Sequence, residues 1–209
     1  MRLRRNHILP LATCLIVSAC GGGDTPDAQP GDVATADASD LSCYIARGSM
    51  EEAGDRPSPL QQTSFSFPGG EGLLCYGAPS ARGREVMGAL VPWEQPWRIG
   101  ANEPTTIHLD APATVGGVAL EPGSYSLYAV PTETEWEFFV NPNWERWGIP
   151  IDASVRATES ASFTATPETT NTMVETLVYT WEPAADGGGA LVLEWENTRV
   201  RIPVGAGAE

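Results

Sequence analysis

Past residue 60 the chain is dominated by alternation. Gln62–Phe67, Leu73–Tyr76, Thr105–Leu109, Ser124–Val130, Trp136–Asn141, Thr172–Trp181, Ala190–Glu196 and Arg199–Val204 set β-branched or aromatic side chains at alternate positions, with Gly, Pro or Asp between the runs. A period of two sends successive side chains to opposite faces, so each run predicts a strand with a buried side. Val115-Gly116-Gly117-Val118 places a glycine pair between short apolar runs, which predicts a two-residue hairpin whose positive φ angles glycine tolerates. Pro122-Gly123 leads into the next strand, and Asp186-Gly187-Gly188-Gly189 reads as a turn between Trp181 and Leu191.

Helical signals are few. Ser49-Met50-Glu51-Glu52 has capping-box spacing and predicts a short helix that stops near Gly54. Asn143 to Gly148 reads as more than a turn of helix, with Trp144 and Trp147 on one face as a lid over the end of a sheet. The pattern as a whole predicts an all-β domain over residues 43–205: an antiparallel β-sandwich or flattened barrel of about ten strands, with one or two short helices.

The first residues follow a different rule. Arg2, Arg4 and Arg5 form a basic head, and Ile8 to Val17 form an apolar core too short for a membrane span, which together predict a removable export signal over residues 1–19. The core ends in Val17-Ser18-Ala19-Cys20, followed by three glycines. This resembles the lipobox of bacterial lipoproteins, in which the cysteine sulfur carries diacylglycerol and becomes the mature N-terminus; the resemblance implies lipidation of Cys20 and, since Gly22 is not aspartate, an outer-membrane address. From Gly21 to Ser42 the chain has almost no large apolar residue to offset the entropy of ordering, so residues 20–42 are expected to form a disordered acidic tether. A flexible chain of that length holds its domain roughly 25 Å from the anchor.

Charge narrows the chemistry. Without residues 1–19 the chain keeps nine arginines against 27 acids, a net charge of −18. Such a surface does not bind nucleic acid by neutralising phosphates. The chain has no lysine, which excludes Schiff-base catalysis and a lysine-bearing phosphate loop. Cys43 and Cys75 are the two cysteines left after signal removal and lipidation, and in an oxidising compartment they are expected to form a disulfide. No metal site is expected, because no CxxC spacing or histidine cluster is present and the Asp186 turn lacks the repeated ligands of a calcium loop. No cofactor is expected either.

Five separated stretches, "YGAPSARGR", "LVPWEQPWRIGANEPTTI", "VGGVALEPGSYSLYAVP", "EWEFFVN" with "NWERWG", and "LEWENTRVRIPV", occur in that order. Together they resemble the bacterial envelope proteins grouped as domain of unknown function 2911, over roughly Tyr76 to Val204, with Ile99 standing where that pattern leads one to expect threonine. The resemblance implies a fold and an envelope location, and it brings no established activity.

The richest candidate site is Pro96 to Thr106. Arg98 could offer a planar donor fork to a carboxylate or phosphate, with Trp97 stacking and Asn102 hydrogen bonding. The same residues could instead form a self-satisfied corner in which Glu103 pairs with Arg98 and Gly100 makes the turn. Arg82 and Arg84 flank Gly83, and if they gather with Arg98 they make the one place in an acidic protein that attracts an anion. His108, the single histidine after signal removal, sits on an alternating strand and reads as structural, and no Gly-x-Ser-x-Gly elbow accompanies it. Glu194 and Glu196 read as a solvated strand face. These features favour a lipid-anchored envelope protein that binds a small anionic or sugar-like ligand, or an envelope partner, without catalysis. The competing reading is a carboxylate-dependent hydrolase using Glu103 in the same cleft.

Overall fold

The computed structural model describes residues 41–207. The expected signal, the expected lipidation site Cys20 and the part of the expected tether up to residue 40 lie outside the described residues. Ser49 opens α1 (Met50–Gly54) as the spacing predicts: its hydroxyl accepts the N–H of Glu52, and the Glu52 carboxylate accepts the N–H of Ser49 at 2.7 Å.

Ten strands follow: β1 (Leu60–Phe67), β2 (Gly70–Gly77), β3 (Ala101–Leu109), β4 (Ala113–Val115), β5 (Val118–Leu120), β6 (Gly123–Pro131), β7 (Trp136–Asn141), β8 (Ala161–Ala165), β9 (Glu168–Pro183) and β10 (Gly189–Ala206). They pair antiparallel into a six-stranded sheet of order β1-β2-β3-β6-β7-β8 and a four-stranded sheet of order β5-β4-β10-β9. The architecture is the expected antiparallel sandwich, and the sheets do not close into a barrel. At the predicted glycine hairpin Val115 faces Val118, and Gly116 and Gly117 hold φ of 61° and 84°. A Cβ on Gly116 would also lie 2.2 Å from the Phe163 ring, so glycine is required there twice over.

The core follows from the alternation. Leu74, Tyr76, Ile107, Leu127, Phe138 and Val140 of the six-stranded sheet pack in one buried cluster with Leu177, Tyr179, Leu191, Leu193, Trp195 and Ile202 of the other. Each such side chain, fully buried, contributes roughly 1.5–3 kcal/mol. The residues between them point the other way and need separate cover. Leu73 and Cys75 of β2 cluster with Cys43, while Tyr128 of β6 and Phe139 of β7 cluster with Val155 of a second short helix, α2 (Ala153–Arg156).

Several elements differ from the sequence reading. Asn143 to Gly148 is not helical; the N–H of Trp144 reaches back only to Pro142 and that of Gly148 donates to the carbonyl of Asn102 at 3.0 Å. The segment is tied to β3 rather than to its own turns. The helix here is α2, capped by Asp152, whose carboxylate accepts the N–H groups of Ser154 and Val155. Ala190–Glu196 and Arg199–Val204 are one strand, β10, irregular around Glu196, which adopts φ 55°. Strand β8, with Phe163 its only large apolar residue, went unpredicted.

Candidate functional site

The β2–β3 connection, residues 78–100, buries Val86, Val91 and Ile99 in the core and delivers the chain to β3 through a tight corner. Ile99 and Asn102 adopt left-handed φ of 48° and 63°, the first unusual for a β-branched residue. Ile99 is fully buried, and its carbonyl accepts the Thr105 hydroxyl at 3.1 Å and the Tyr179 hydroxyl at 2.9 Å. Burial holds the Tyr179 phenol well above its ordinary pKa, so it donates at any working pH. Gly100 has no room for a side chain, since a Cβ would lie 2.8 Å from the Thr105 hydroxyl.

Asn102 and Glu103 then turn to a distant part of the chain. The Asn102 amide donates to the Ser58 carbonyl at 2.8 Å. Glu103, 3% exposed, accepts Arg56 Nη1 at 2.6 Å and the Ala46 N–H at 3.2 Å. The expected Arg98–Glu103 pair does not form. The disulfide between Cys43 and Cys75 closes the other end of this clasp. Segment 43–58 is thus bound to the sheet by a covalent link, an ion pair and two hydrogen bonds. Disulfides of this kind persist in oxidising compartments.

Arg82 and Arg84 are occupied as well. The Arg82 backbone N–H donates to the Glu175 carboxylate at 2.6 Å, and its Nη2 donates to the Pro57 carbonyl at 2.9 Å, next to the carbonyl held by Asn102. Arg84 folds back on its own loop, donating to the carbonyls of Ala81 at 2.9 Å and Ser80 at 3.0 Å. Trp97 exchanges backbone hydrogen bonds with Ala129 and packs between Trp136, edge-on at 5.7 Å, and Trp195, stacked at 6.0 Å. The stacked Trp195 ring takes one of its faces. Trp144 packs edge-on against Tyr44 and His108, and Trp147 lies beneath the guanidinium of Arg47 at 4.2 Å.

Arg98 stands apart. Its Nε is buried without an acceptor, and its guanidinium forms no hydrogen bond or ion pair among the described residues. Burial lowers its pKa, as expected of a charge drawn from water without a counter-ion. Its stem lies against Gly148, where a Cβ would come within 2.7 Å of Arg98 Cδ.

His108 is 3% exposed, with Nε2 at 3.0 Å from the Thr106 hydroxyl and Nδ1 at 2.7 Å from the Ser124 hydroxyl. Burial depresses its pKa to about 4, so it is neutral at physiological pH. Among the described residues no group of three or more His, Cys, Asp or Glu is placed to hold a metal ion. Sequence reasoning missed Arg56, and it read Glu196 as part of a solvated face, which the structure corrects. The latter turns inward, its carboxylate accepting the N–H groups of Val86 at 3.2 Å and Met87 at 3.3 Å, whereas Glu194 pairs with Arg199 at 2.7 Å.

A two-sheet antiparallel sandwich with a disulfide-stapled leading segment is the class this geometry defines. The chain belongs to the family described as "Protein of unknown function (DUF2911)", whose model matches residues 58–204. No curated protein and no solved structure matches the chain.

Proposed function

We propose that this protein is an exported, lipid-anchored recognition domain of the bacterial envelope, carried by a tether from Cys20, and that Arg98 is the seat for an anionic group on its ligand or partner. The observation that carries the reading is the Arg98 guanidinium: partly buried, unpaired among the described residues, and set in a chain rich in carboxylates. Buried charges are ordinarily paired, and a planar fork without a partner suits a carboxylate or phosphate. Two left-handed non-glycine residues around it, Ile99 and Asn102, are the kind of backbone outlier that gathers at binding sites. The clasped segment and the disulfide support an address outside the cytoplasm, and no helix among the described residues is long and apolar enough to cross a membrane.

Calorimetric titration with phosphate, sulfate, citrate and glucuronate tests the seat. The wild-type chain binds at least one of them, Arg98→Ala loses that binding with an unchanged melting temperature, and Arg98→Lys keeps part of it. Equal binding by wild type and Arg98→Ala, or binding of none of the four, refutes the assignment. Labelling cells with an alkyne fatty acid tests the anchor: wild type takes up label and Cys20→Ser does not.

A further inference from the structure

Four arginines from three separate stretches of chain meet around Trp147 and Gly148. Arg47 lies over the Trp147 indole at 4.2 Å, and Arg56 lies 5.8 Å from the centre of the same ring. Arg146 donates through Nη1 to the carbonyls of Trp147 at 3.1 Å and Gly148 at 3.3 Å. Arg98 passes Gly148 so closely that a Cβ there would lie 2.7 Å from its Cδ. The clasp brings them together: the disulfide and the Arg56–Glu103 pair hold segment 43–58 to the sheet, and the Gly148 N–H holds residues 144–148 to the Asn102 carbonyl at 3.0 Å.

Glu103 neutralises Arg56. Arg47, Arg98 and Arg146 form no ion pair among the described residues, although Glu52, Glu145 and Asp152 lie on the same stretches of chain. Glu52 is committed to the Ser49 amide and Asp152 to the cap of α2, while Glu145 is exposed. Four guanidinium groups against the one carboxylate that pairs with any of them leave three positive charges together in a strongly acidic chain. Burial lowers the pKa of both Arg98 and Arg146, so part of that charge is held out of water. Aromatic cover accounts for Arg47, and closure of its own loop accounts for Arg146. Neither accounts for Arg98, nor for setting like charges side by side with 27 acids available to separate them.

Donors remain on more than one of these groups. The side chains of Arg47 and Arg98 make no hydrogen bond among the described residues, and Arg146 uses Nε and Nη1 but not Nη2. A single guanidinium fork satisfies a planar carboxylate. A phosphate monoester carries three terminal oxygens and nearly two charges at neutral pH, so it draws donors from several forks.

We infer that the Arg98 seat takes a phosphate monoester, its terminal oxygens shared among Arg98, Arg47 and Arg146. The inference rests on the reading of Arg98 as an anion seat and names the group that fills it. A free phosphorylated metabolite and the headgroup of a phosphomonoester lipid present the same chemistry.

The test uses the full chain carrying Cys20→Ser, so that no acyl chain adds membrane affinity. Methyl phosphate, dimethyl phosphate and acetate are titrated calorimetrically at about pH 8, above the second phosphate pKa of roughly 6. Methyl phosphate binds tighter than the other two by about tenfold. Arg47→Ala and Arg146→Gln each weaken it by about tenfold, the scale of one charged hydrogen bond, and Arg199→Gln, which removes a charge elsewhere, leaves it unchanged. If Arg146→Gln lowers the melting temperature, Arg47→Ala decides, since Arg47 is exposed. Equal binding of the three probes overturns the phosphate assignment and leaves the Arg98 seat standing. Loss of binding in Arg98→Ala with wild-type affinity in Arg47→Ala and Arg146→Gln overturns the shared site and again leaves the seat. Binding of none of the three overturns the inference, and citrate and glucuronate then judge the seat alone. Sedimentation with phosphatidylcholine vesicles containing phosphatidic acid, lost in Arg47→Ala, assigns the lipid headgroup; methyl phosphate binding without sedimentation assigns the soluble ester.

Discussion

Removing the Cys43–Cys75 link should destabilise the domain without releasing the segment it staples. The bond closes a loop of sequence separation 32. Cross-linking a loop of that length removes unfolded-state entropy equivalent to about 3.5–4 kcal/mol, which lowers the melting temperature of a domain this size by about 10 °C. In the folded state the segment has other holds: Arg56 on Glu103, the Ala46 N–H on the same carboxylate, Asn102 on Ser58 and Arg82 on Pro57. The entropic effect therefore acts on the unfolded chain, and the clasp survives. The Cys43→Ala/Cys75→Ala double variant is compared with wild type in thermal and urea melts followed by circular dichroism, together with amide hydrogen exchange. Expected are the drop in melting temperature, a steeper denaturant dependence because the unlinked unfolded chain exposes more surface, and a still-protected Ala46 amide. A shift under about 2 °C refutes the loop argument. Loss of Ala46 protection under native conditions refutes the other half, by showing that the disulfide and not the polar contacts holds the segment down.

Two further outcomes follow from the same contacts. Replacing Arg56 with Met leaves the Glu103 carboxylate buried beside Ala46 alone, at a cost of about 3–5 kcal/mol, and Arg56→Met/Glu103→Leu recovers most of it in urea melts; no recovery would mean that Arg56 acts through packing and not charge. His108 has a folded pKa of about 4 against roughly 6.5 unfolded, so the unfolded state takes up the proton first and stability falls as pH drops from 6.5 toward 4. That amounts to about 2 kcal/mol between pH 7 and pH 5, and His108→Gln lacks it; identical losses in both proteins would rule the histidine out as the cause.

The strands were legible because alternation is a local signal that the sandwich rewards at every second residue. Trp136–Asn141 matches β7 to the residue, and the glycine pair at 116–117 specifies its own hairpin. Strand β8 was not legible, since a five-residue run with one large apolar side chain carries little pattern of its own and is recruited by pairing with β7. Trp144 and Trp147 have helical spacing, but the Gly148 N–H finds Asn102, more than forty positions earlier, and a long-range partner overrides a local preference. The candidate site shows the same limit. Nearness in sequence suggested Arg98 with Glu103, whereas left-handed residues at 99 and 102 send the two side chains to different neighbours. Arg56 could not be foreseen as the partner, because nothing in the sequence around it marks a contact 47 positions away.

How the arginines are distributed bears on whether the corner is architecture or site. Arg56, Arg156, Arg199 and Arg201 each pair with a glutamate, and Arg82, Arg84 and Arg146 donate to backbone carbonyls. Arg47 covers the face of Trp147. Arg98 remains without a bond among the described residues, and in a chain with 27 acids a shortage of carboxylates is not the reason. The reason is geometric. The turn that carries Asn102 and Glu103 toward Ser58 and Arg56 commits the Glu103 carboxylate to Arg56 and Ala46 and not to Arg98. The contacts that close the clasp are thus the ones that leave the guanidinium without a partner, so the rigid corner and the proposed anion seat draw on a single backbone path and do not compete for it.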